Sequence, residues 1–238
     1  MRNKNISFLR RNRYRLALLV LMILASIVCV LLVAARMQYS ESVRYTNLVW
    51  NLFLAWIPFV LSYAAYFLSW RRVTLYLVIP VAAFLWLLFF PNAPYILTDL
   101  QHLAIESTQA PLWYDVIMLV WFSWTGLLLG LISLYFMHEI LHRTFGRWVG
   151  WAFVLLVSGV SSFGVYLGRF VRFNSWDFLQ NPGEIAVGIL GLVIDPSMRL
   201  VAFTLLFAIF YLFVYLTLYS FGHLLQEREG NLHDTATA

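Results

Sequence analysis

The chain has 238 residues, of which 62% are apolar and 11% are charged. An ordinary soluble domain is about half apolar and a quarter charged, so this composition excludes a soluble monomer. The formal net charge of +5 is explained by basic residues near the ends of apolar segments, where anionic lipid attracts them, and it requires no nucleic acid. The single cysteine, Cys29, excludes a disulfide or a multi-cysteine metal site within one copy.

The chain begins with a basic segment, residues 1–15, followed by a long apolar run. This order is typical of a signal peptide, but the run is longer than a signal-peptide core, so we expect an uncleaved anchor. Similar blocks recur, each long enough to cross roughly 30 Å of hydrocarbon as a helix. They predict an all-α polytopic membrane protein with six spans, at about 16–35, 47–69, 73–90, 116–137, 149–170 and 199–222.

We expect these spans to form a single helical membrane domain, residues 16–222, between the basic N-terminus and a C-terminal tail, 223–238. Basic residues near span ends are retained in the cytoplasm, so their distribution predicts the orientation. If the N-terminus is inside, eleven of the sixteen Lys and Arg residues face the cytoplasm and five face outward, namely Arg36, Arg44, Arg169, Arg172 and Arg199. Both termini are therefore expected to be cytoplasmic.

The predicted loop between the third and fourth spans covers residues 91–115 and contains no Lys or Arg. Pro91 and Pro94 are expected to end the third helix, because proline lacks a backbone donor and disfavours helix at the residue before it. Asn92 suits the turn between them. The whole segment is therefore predicted to lie outside the bilayer.

Acidic and imidazole side chains follow in the same loop. Residues 98–101, Thr-Asp-Leu-Gln, match a capping box and predict a short helix. Asp99 and His102, three residues apart, would share one face of it, and Asp115 lies at the start of the fourth span. A carboxylate beside an imidazole is a typical proton-transfer pair.

The end of the fifth span supplies the opposite charge on the same side of the membrane. Arg169 and Arg172 are three residues apart, and Asn174 and Asp177 follow them. The two loops can meet if the fourth and fifth helices pack closely. Small residues at four-residue spacing favour close packing, and they occur as Gly126/Gly130 and Gly164/Gly168. The same faces are an alternative interface for a membrane-protein partner.

A short apolar segment, residues 185–194, precedes the last span and is too short to cross the membrane. Asn181 and Pro182 before it match a helix start, with an N-cap residue and proline at the first helical position. We expect a short re-entrant or interfacial helix here.

Three sequence blocks together resemble an uncharacterised bacterial multi-pass membrane protein family, domain of unknown function 1361. The blocks are PNAPY with TDL at 91–100, WYD at 113–115 and GRFVRFNSWD at 168–177. The resemblance implies a compact helical membrane protein in a bacterial plasma membrane. It implies no reaction, because that family has none assigned.

The polar residues of the two loops form the first candidate site. An arginine pair with nearby amide side chains is suited to two-pronged binding of a phosphate or carboxylate, such as a lipid headgroup or a lipid-linked ligand. The alternative is that the same groups cap helix ends and pair with one another. The candidate residues are Asn92, Asp99, His102, Asp115, Arg169, Arg172, Asn174 and Asp177.

A second candidate site lies at the cytoplasmic end of the fourth span, where residues 138–142 read His-Glu-Ile-Leu-His. This spacing puts His138 and His142 on one helical face as zinc ligands and leaves Glu139 as a general base. The third ligand would be His223 or Glu227, if the last span meets this helix end. Short motifs of this kind also arise by chance.

Three functional classes therefore remain open from the sequence. The first is a plasma-membrane protein that binds an anionic or lipid-linked ligand at its outer face, in transport, binding or envelope assembly. The second is a membrane-embedded zinc metallohydrolase, and the third is a non-catalytic membrane partner subunit. Whether the chain is an enzyme is left undecided.

Overall fold

The computed structural model describes residues 2–40, 43, 45–70, 72–104, 111–173, 175 and 180–237, without the side chains of 2–14, 72, 73, 104 and 225–237. In the lipid core of a membrane only helices and closed barrels satisfy every backbone polar group, and this chain uses helices. Six helical segments of the described chain are long and apolar enough to cross a membrane. The all-α prediction is confirmed, and the chain is a multi-pass membrane protein.

The first two spans are an antiparallel helical pair. Helix α1, Arg2–Ser40, extends beyond the predicted span at both ends, and α2, Thr46–Leu68, matches its prediction within one residue. The α2 helix contains Pro58, which membrane helices tolerate because neighbouring groups satisfy the freed carbonyl. Trp56 of α2 donates from Nε1 to Ser26 Oγ of α1 at 3.0 Å, which joins the two helices near their middle.

The third span does not end at a loop. Helix α3, Arg72–Phe89, leads into a one-turn helix α4, Asn92–Tyr95, and then into a 3₁₀ helix, Ile96–Ala104. Phe90, Ala93 and Ile96 are fully buried. Residues 91–104, predicted as an outer loop, therefore turn back into the bundle and pack against α2 and α5, the fourth span.

The capping box predicted at residues 98–101 does not form. Thr98 lies inside the 3₁₀ helix, and its hydroxyl donates to the carbonyl oxygen of Tyr95 at 2.6 Å. The two prolines explain the difference, because they redirect the chain without exposing it. Pro94 is buried, and the amide of Tyr95 donates to the carbonyl of Pro91 at 3.0 Å, so the turn keeps its backbone hydrogen bonds.

The fourth and fifth spans are helices α5, Leu112–Phe145, and α6, Arg147–Tyr166, which continues as a π turn, Leu167–Val171. In the apolar 18-residue stretch that identifies each span, 61% of α5 is buried inside the bundle, against 17% of α1. The α5 helix is therefore the central one. It contacts α1, α2, α4, the 3₁₀ helix and α6. The predicted close packing of the fourth and fifth helices is observed.

The last two helices are α7, Pro182–Ile194, and α8, Met198–Thr237. The short helix is the one predicted at 185–194; proline begins it as expected, but the Asn181 side chain makes no cap hydrogen bond. No residue of α7 is buried. The α8 helix packs against α6. Its membrane-spanning part ends at Leu224.

Candidate functional site

One end of the bundle carries a buried ion pair between Asp99, on the 3₁₀ helix, and Arg169, in the π turn. The Nη2 group of Arg169 donates to Oδ1 of Asp99, and the two side chains are 8% and 4% exposed. Arg169 Nε donates to Thr98 Oγ1 at 2.8 Å, and Asn51 Nδ2 donates to the second Asp99 oxygen at 2.9 Å. The Arg169 guanidinium carbon also lies 4.2 Å from the ring centre of Tyr95.

We call these five residues, Asn51, Tyr95, Thr98, Asp99 and Arg169, the Asp99–Arg169 cluster. A buried charge is stable only when it is paired and its remaining polar positions are hydrogen bonded, and Asp99 meets both conditions through Arg169 and Asn51. It joins α2, α4, the 3₁₀ helix and the end of α6. The sequence prediction that Asp99 and Arg169 converge is in agreement with this geometry.

The backbone after α6 has an unusual conformation that positions the second arginine of the predicted pair. The π turn ends at Arg172, which has φ 67° and ψ 29°, in the left-handed region. The amide of Phe173 donates to the carbonyl of Leu167 at 3.2 Å and closes the turn. Of the residues with described backbone, Arg172 is the one non-glycine residue with positive φ. Its side chain is exposed.

Asn92 connects the turn after α3 to the segment after the π turn. Its Nδ2 donates to the carbonyl of Phe89 at 2.9 Å and to the hydroxyl of Ser175 at 3.0 Å. The Ser175 hydroxyl in turn donates to the carbonyl of Leu88 at 2.9 Å. Two other predicted site residues, Asn174 and Asp177, lie outside the described residues.

The predicted proton-transfer pair of Asp99 and His102 is not formed. Both oxygens of Asp99 are bonded to other groups, Arg169 and Asn51. His102 is half-buried, and its Nδ1 atom is buried without a hydrogen-bond partner in the part of the chain that the structure describes. His102 therefore lies three residues from the ion pair and retains a polar atom that no described group satisfies.

Asp115 belongs to a different ion pair from the one expected. Its partner is Arg36 of α1, which donates from Nε to Oδ1 at 2.7 Å and from Nη2 to Oδ2 at 3.2 Å. The Tyr45 hydroxyl donates to Oδ2 at 3.1 Å. Arg36 is 4% and Asp115 2% exposed. The grouping of Asp115 with Arg169 and Arg172 is corrected accordingly, because the two-pronged bond with Arg36 occupies both carboxylate oxygens.

Sequence reasoning missed Arg36, Tyr45, Asn51 and Thr98 as members of these polar clusters. A signal was present for two of them. Arg36 follows directly on an apolar span, and Asn51 interrupts another, and polar groups in such positions are usually paired inside the bundle. The partners lie 79 and 48 residues away along the chain, and nothing local in the sequence identifies them.

The small-residue faces predicted as helix contacts or partner interfaces pack against the chain's own α4 region. A Cβ atom on Gly126 would lie 2.8 Å from Ile96 Cδ1, and one on Gly130 would lie 3.1 Å from Ala93 Cβ. On α6, a Cβ on Gly164 would lie 2.7 Å from Pro91 Cγ. Similarly, a Cβ on Gly168 would lie 3.2 Å from Cε2 of the Tyr95 ring. The expected partner interface on these faces is corrected, because residues 91–96 cover them.

At the other end of α5, His138 is buried in an aromatic environment. Its Nδ1 atom is 2.7 Å from the Tyr215 hydroxyl of α8. Its ring lies 4.8 Å from that of Trp151 and 5.7 Å from that of Tyr219. A Cβ on Gly150 would lie 2.9 Å from His138 Cδ2, so glycine lets α6 approach the imidazole. This end of α5 therefore meets α8, the last span, as the zinc hypothesis requires.

The third ligand that zinc would need is not found among the described side chains. No group of three His, Cys, Asp or Glu side chains in the described part could hold a metal ion. The ring centres of His138 and His142 are 6.0 Å apart, and Glu139 is half-buried. His223 is exposed, with Nδ1 3.0 Å from the carbonyl oxygen of Tyr219. The side chain of the other proposed ligand, Glu227, is not described.

Two adjoining grooves run between α1 and α2 on the membrane-facing side of the bundle. Their volumes are about 490 and 430 Å³, and both are lined by Val30. The lining is almost wholly apolar, and it includes no residue of the Asp99–Arg169 cluster. Such grooves are the kind of surface that lipid chains cover, and they do not extend the polar site.

Comparison with known proteins identifies one family. A family model described as "Protein of unknown function (DUF1361)" matches residues 50–218, which is most of the chain. No curated protein and no solved structure matches. The matched range contains the Asp99–Arg169 cluster and Asp115, whereas Arg36 and Tyr45 precede it.

Proposed function

The chain belongs to the DUF1361 family, a family of unknown function, and we propose that it binds an anionic ligand at the end of the bundle that carries the Asp99–Arg169 cluster. The ligand class is a phosphate or carboxylate group, free or attached to a lipid. The role is ligand binding, as part of transport or of envelope assembly. We also propose that this end faces outward from a bacterial plasma membrane, because most basic residues would then be cytoplasmic.

The observation that carries this proposal is the conformation of Arg172. A non-glycine residue in the left-handed region costs on the order of 1 kcal/mol or more, and such strain tends to persist where function requires it. At this position the strain keeps a guanidinium exposed, three residues after the buried Arg169. A glycine here would fold more easily but would carry no charge.

The charges around Arg172 favour an anion. Asp99 neutralises Arg169, and the ion pairs found among the described residues do not include Arg172. The exposed guanidinium of Arg172 is therefore a positive charge additional to the Asp99–Arg169 pair at this end. An arginine presents a planar fork of N–H donors that matches phosphate or carboxylate oxygens. His102, three residues after Asp99 on the 3₁₀ helix, supplies a second polar group, because its buried Nδ1 has no partner among the described groups.

The variant Arg172→Gly separates an effect on ligand binding from an effect on folding. Arg172→Gly removes the guanidinium and the backbone strain together, so the protein should fold while its affinity falls. Hydrogen bonds to charged groups contribute about 1.5–3 kcal/mol, so we expect at least tenfold weaker binding. The measurement is calorimetric titration of the purified protein with inorganic phosphate and with dihexanoyl phosphatidic acid.

Two further variants control this titration. Arg172→Lys keeps the charge but not the fork, and it should weaken binding less than glycine does. Arg199→Gln removes a cation at the same end, where the guanidinium carbon of Arg199 lies 4.2 Å from the Phe170 ring centre, and it should leave binding nearly unchanged. The proposal fails if the unmodified protein binds neither probe, or if Arg172→Gly binds both as tightly.

A further inference from the structure

Two arginines from different helices share one tyrosine at the opposite end of the bundle. Arg15 of α1 donates from Nη2 to the Tyr66 hydroxyl at 2.8 Å, and its guanidinium carbon lies 4.7 Å from the centre of that ring. The guanidinium carbon of Arg143, from α5, lies 5.7 Å from the same ring centre. Tyr66 itself is 6% exposed, and its ring centre lies 5.4 Å from that of Phe136, so packing holds the ring in place.

Neutral groups hold the two arginines in position. Arg143 Nη2 donates to Ser69 Oγ at 2.5 Å, and the Arg143 guanidinium carbon lies 4.2 Å from the ring centre of Trp70. Ser69 is buried, and its hydroxyl donates to the carbonyl of Tyr66 at 2.8 Å. Each arginine therefore uses one terminal nitrogen in these bonds and keeps other donors for a further partner.

The described structure pairs neither arginine with a carboxylate. The ion pairs between described side chains are the two at the other end, Arg36 with Asp115 and Arg169 with Asp99. Glu139 lies one turn before Arg143 on α5 and is not among those pairs. Two cations arranged around one ring repel each other, so their arrangement is favoured when an anion lies between or beside them.

The position within the membrane indicates which anion this is. Arg15 begins the first membrane span, and Trp70 follows the end of α2 with 67% of its surface exposed. Tryptophan and arginine at span ends lie at the level of the lipid headgroups. Basic sites between transmembrane helices at this level bind phosphate groups of anionic lipids.

We propose that Arg15 and Arg143, held by Tyr66, Ser69 and Trp70, form a binding site for the phosphate group of an anionic phospholipid. The guanidinium donors that these contacts leave over bind the phosphate oxygens. The site is independent of the Asp99–Arg169 cluster and of the function proposed for that end.

Competition between two lipids tests the site. The purified protein, in a neutral detergent, is mixed with equal amounts of phosphatidylglycerol and phosphatidylcholine with the same acyl chains, and bound lipid is counted by native mass spectrometry. We expect phosphatidylglycerol to be retained about tenfold more often than phosphatidylcholine, which corresponds to roughly 1.4 kcal/mol. The double variant Arg15→Gln with Arg143→Gln should reduce this preference to near unity.

Matched variants separate the site from general charge. Arg147→Gln removes an exposed cation at the same end of the bundle and should leave the preference within twofold of the unmodified protein. Tyr66→Phe keeps the ring but removes the bond to Arg15, and it should lower the preference severalfold. The double variant Arg15→Lys with Arg143→Lys keeps both charges, folds without a loss of charge balance, and should also lower it severalfold.

Three results would overturn the assignment. One is equal retention of the two lipids by the unmodified protein. Another is an effect of Arg147→Gln as large as that of the double glutamine variant, which would indicate unspecific charge. The last is displacement of phosphatidylglycerol by millimolar inorganic phosphate, which would make free phosphate the ligand. Arg172→Gly should leave the lipid preference unchanged.

Discussion

Arg36 and Asp115 form the more completely buried of the two ion pairs, and they hold α1 against α5. Removing one partner of a buried pair leaves an uncompensated charge and typically costs about 3–5 kcal/mol. We expect Arg36→Met to lower the free energy of unfolding by that amount. The measurement is the unfolding transition of the purified protein in mixed detergent and denaturant.

The double variant Arg36→Met with Asp115→Leu distinguishes a charge effect from a packing effect. Replacing both partners with apolar groups of similar size is often nearly neutral, because no buried charge remains. We expect most of the lost stability to return. Tyr45 would lose its acceptor on Asp115, so a deficit of about 1 kcal/mol should persist. A double variant no more stable than Arg36→Met would contradict this account.

Substitution of Arg172, in contrast to that of Arg36, is expected to raise the free energy of unfolding. Since glycine adopts the left-handed region without a steric penalty, Arg172→Gly should raise the free energy of unfolding by about 0.5–1 kcal/mol. Arg172→Ala keeps the strain and should not stabilise the protein. The unfolding midpoints of the two variants, measured side by side, test this. A glycine variant less stable than the alanine variant would show that the left-handed conformation at this position carries no such cost.

At this scale the sequence identifies charged residues more reliably than their partners. Asp99 and Arg169 were predicted to meet, and they do. Asp115 was placed with the same arginines, yet it pairs with Arg36, 79 residues earlier. Local spacing describes one helix face, whereas a pair between helices depends on how spans are arranged around the centre. That arrangement is a property of the packed bundle and of no short segment.

The glycines of α5 and α6 leave room for residues 91–96, the turn that contains α4, to pack closely against both helices. Gly164 shows the requirement directly, because a Cβ at this position would lie 2.7 Å from Pro91 Cγ, whereas one at Gly159 on the same helix would meet nothing within 4 Å. Overpacking of a dense interior typically costs about 1–3 kcal/mol. We therefore expect Gly164→Leu to destabilise the protein by at least this amount.

Gly159→Leu is the matched control, since it adds the same side chain to the same helix in open space. It should change stability by less than about 0.5 kcal/mol, as substitutions away from packed contacts usually do. The comparison uses the unfolding midpoints of both variants and their recovery as monodisperse protein. Equal destabilisation by both leucines would indicate a cost of the helix itself, unrelated to α4.

Element by element, the apolar blocks predicted six spans and the short helix well, because length and hydropathy determine which segments enter a bilayer. The α4 segment escaped prediction for a physical reason. Pro91 and Pro94 are typical of exposed turns, and the same residues can redirect a chain inside a bundle when neighbouring glycines make room. The residue types at 91–104 are therefore compatible with an exposed turn and with a turn buried in the bundle.

At the scale of the whole molecule, the two ends differ in the chemistry of their arginines. At one end Arg36 and Arg169 are buried and neutralised by aspartates, and at the other Arg15 and Arg143 contact neutral aromatic and hydroxyl groups. Alternating spans place these two sets on opposite membrane surfaces. Since α1 contributes Arg36 to Asp115, the helix that precedes the matched family range also stabilises its polar end.

The sidedness of these two ends is a prediction from charge alone. Because more basic residues cluster at the end of Arg15 and Arg143, that end should be cytoplasmic and the Asp99–Arg169 cluster should face outward. Single cysteines test this in a Cys29→Ser background. Val43→Cys lies between α1 and α2 at the cluster end, and Trp148→Cys lies near the start of α6 at the other; both native residues are exposed, by 69% and 85%.

In intact cells a membrane-impermeant maleimide should label Val43→Cys and leave Trp148→Cys unlabelled, and permeabilised cells should show labelling of both. The reverse pattern would place the cluster in the cytoplasm, where its ligand would be a cytoplasmic anion and the Arg15–Arg143 site would face the outer leaflet. Labelling of both positions in intact cells would mean that the chain inserts in two orientations. Only the first outcome is consistent with an outward-facing site at Arg172.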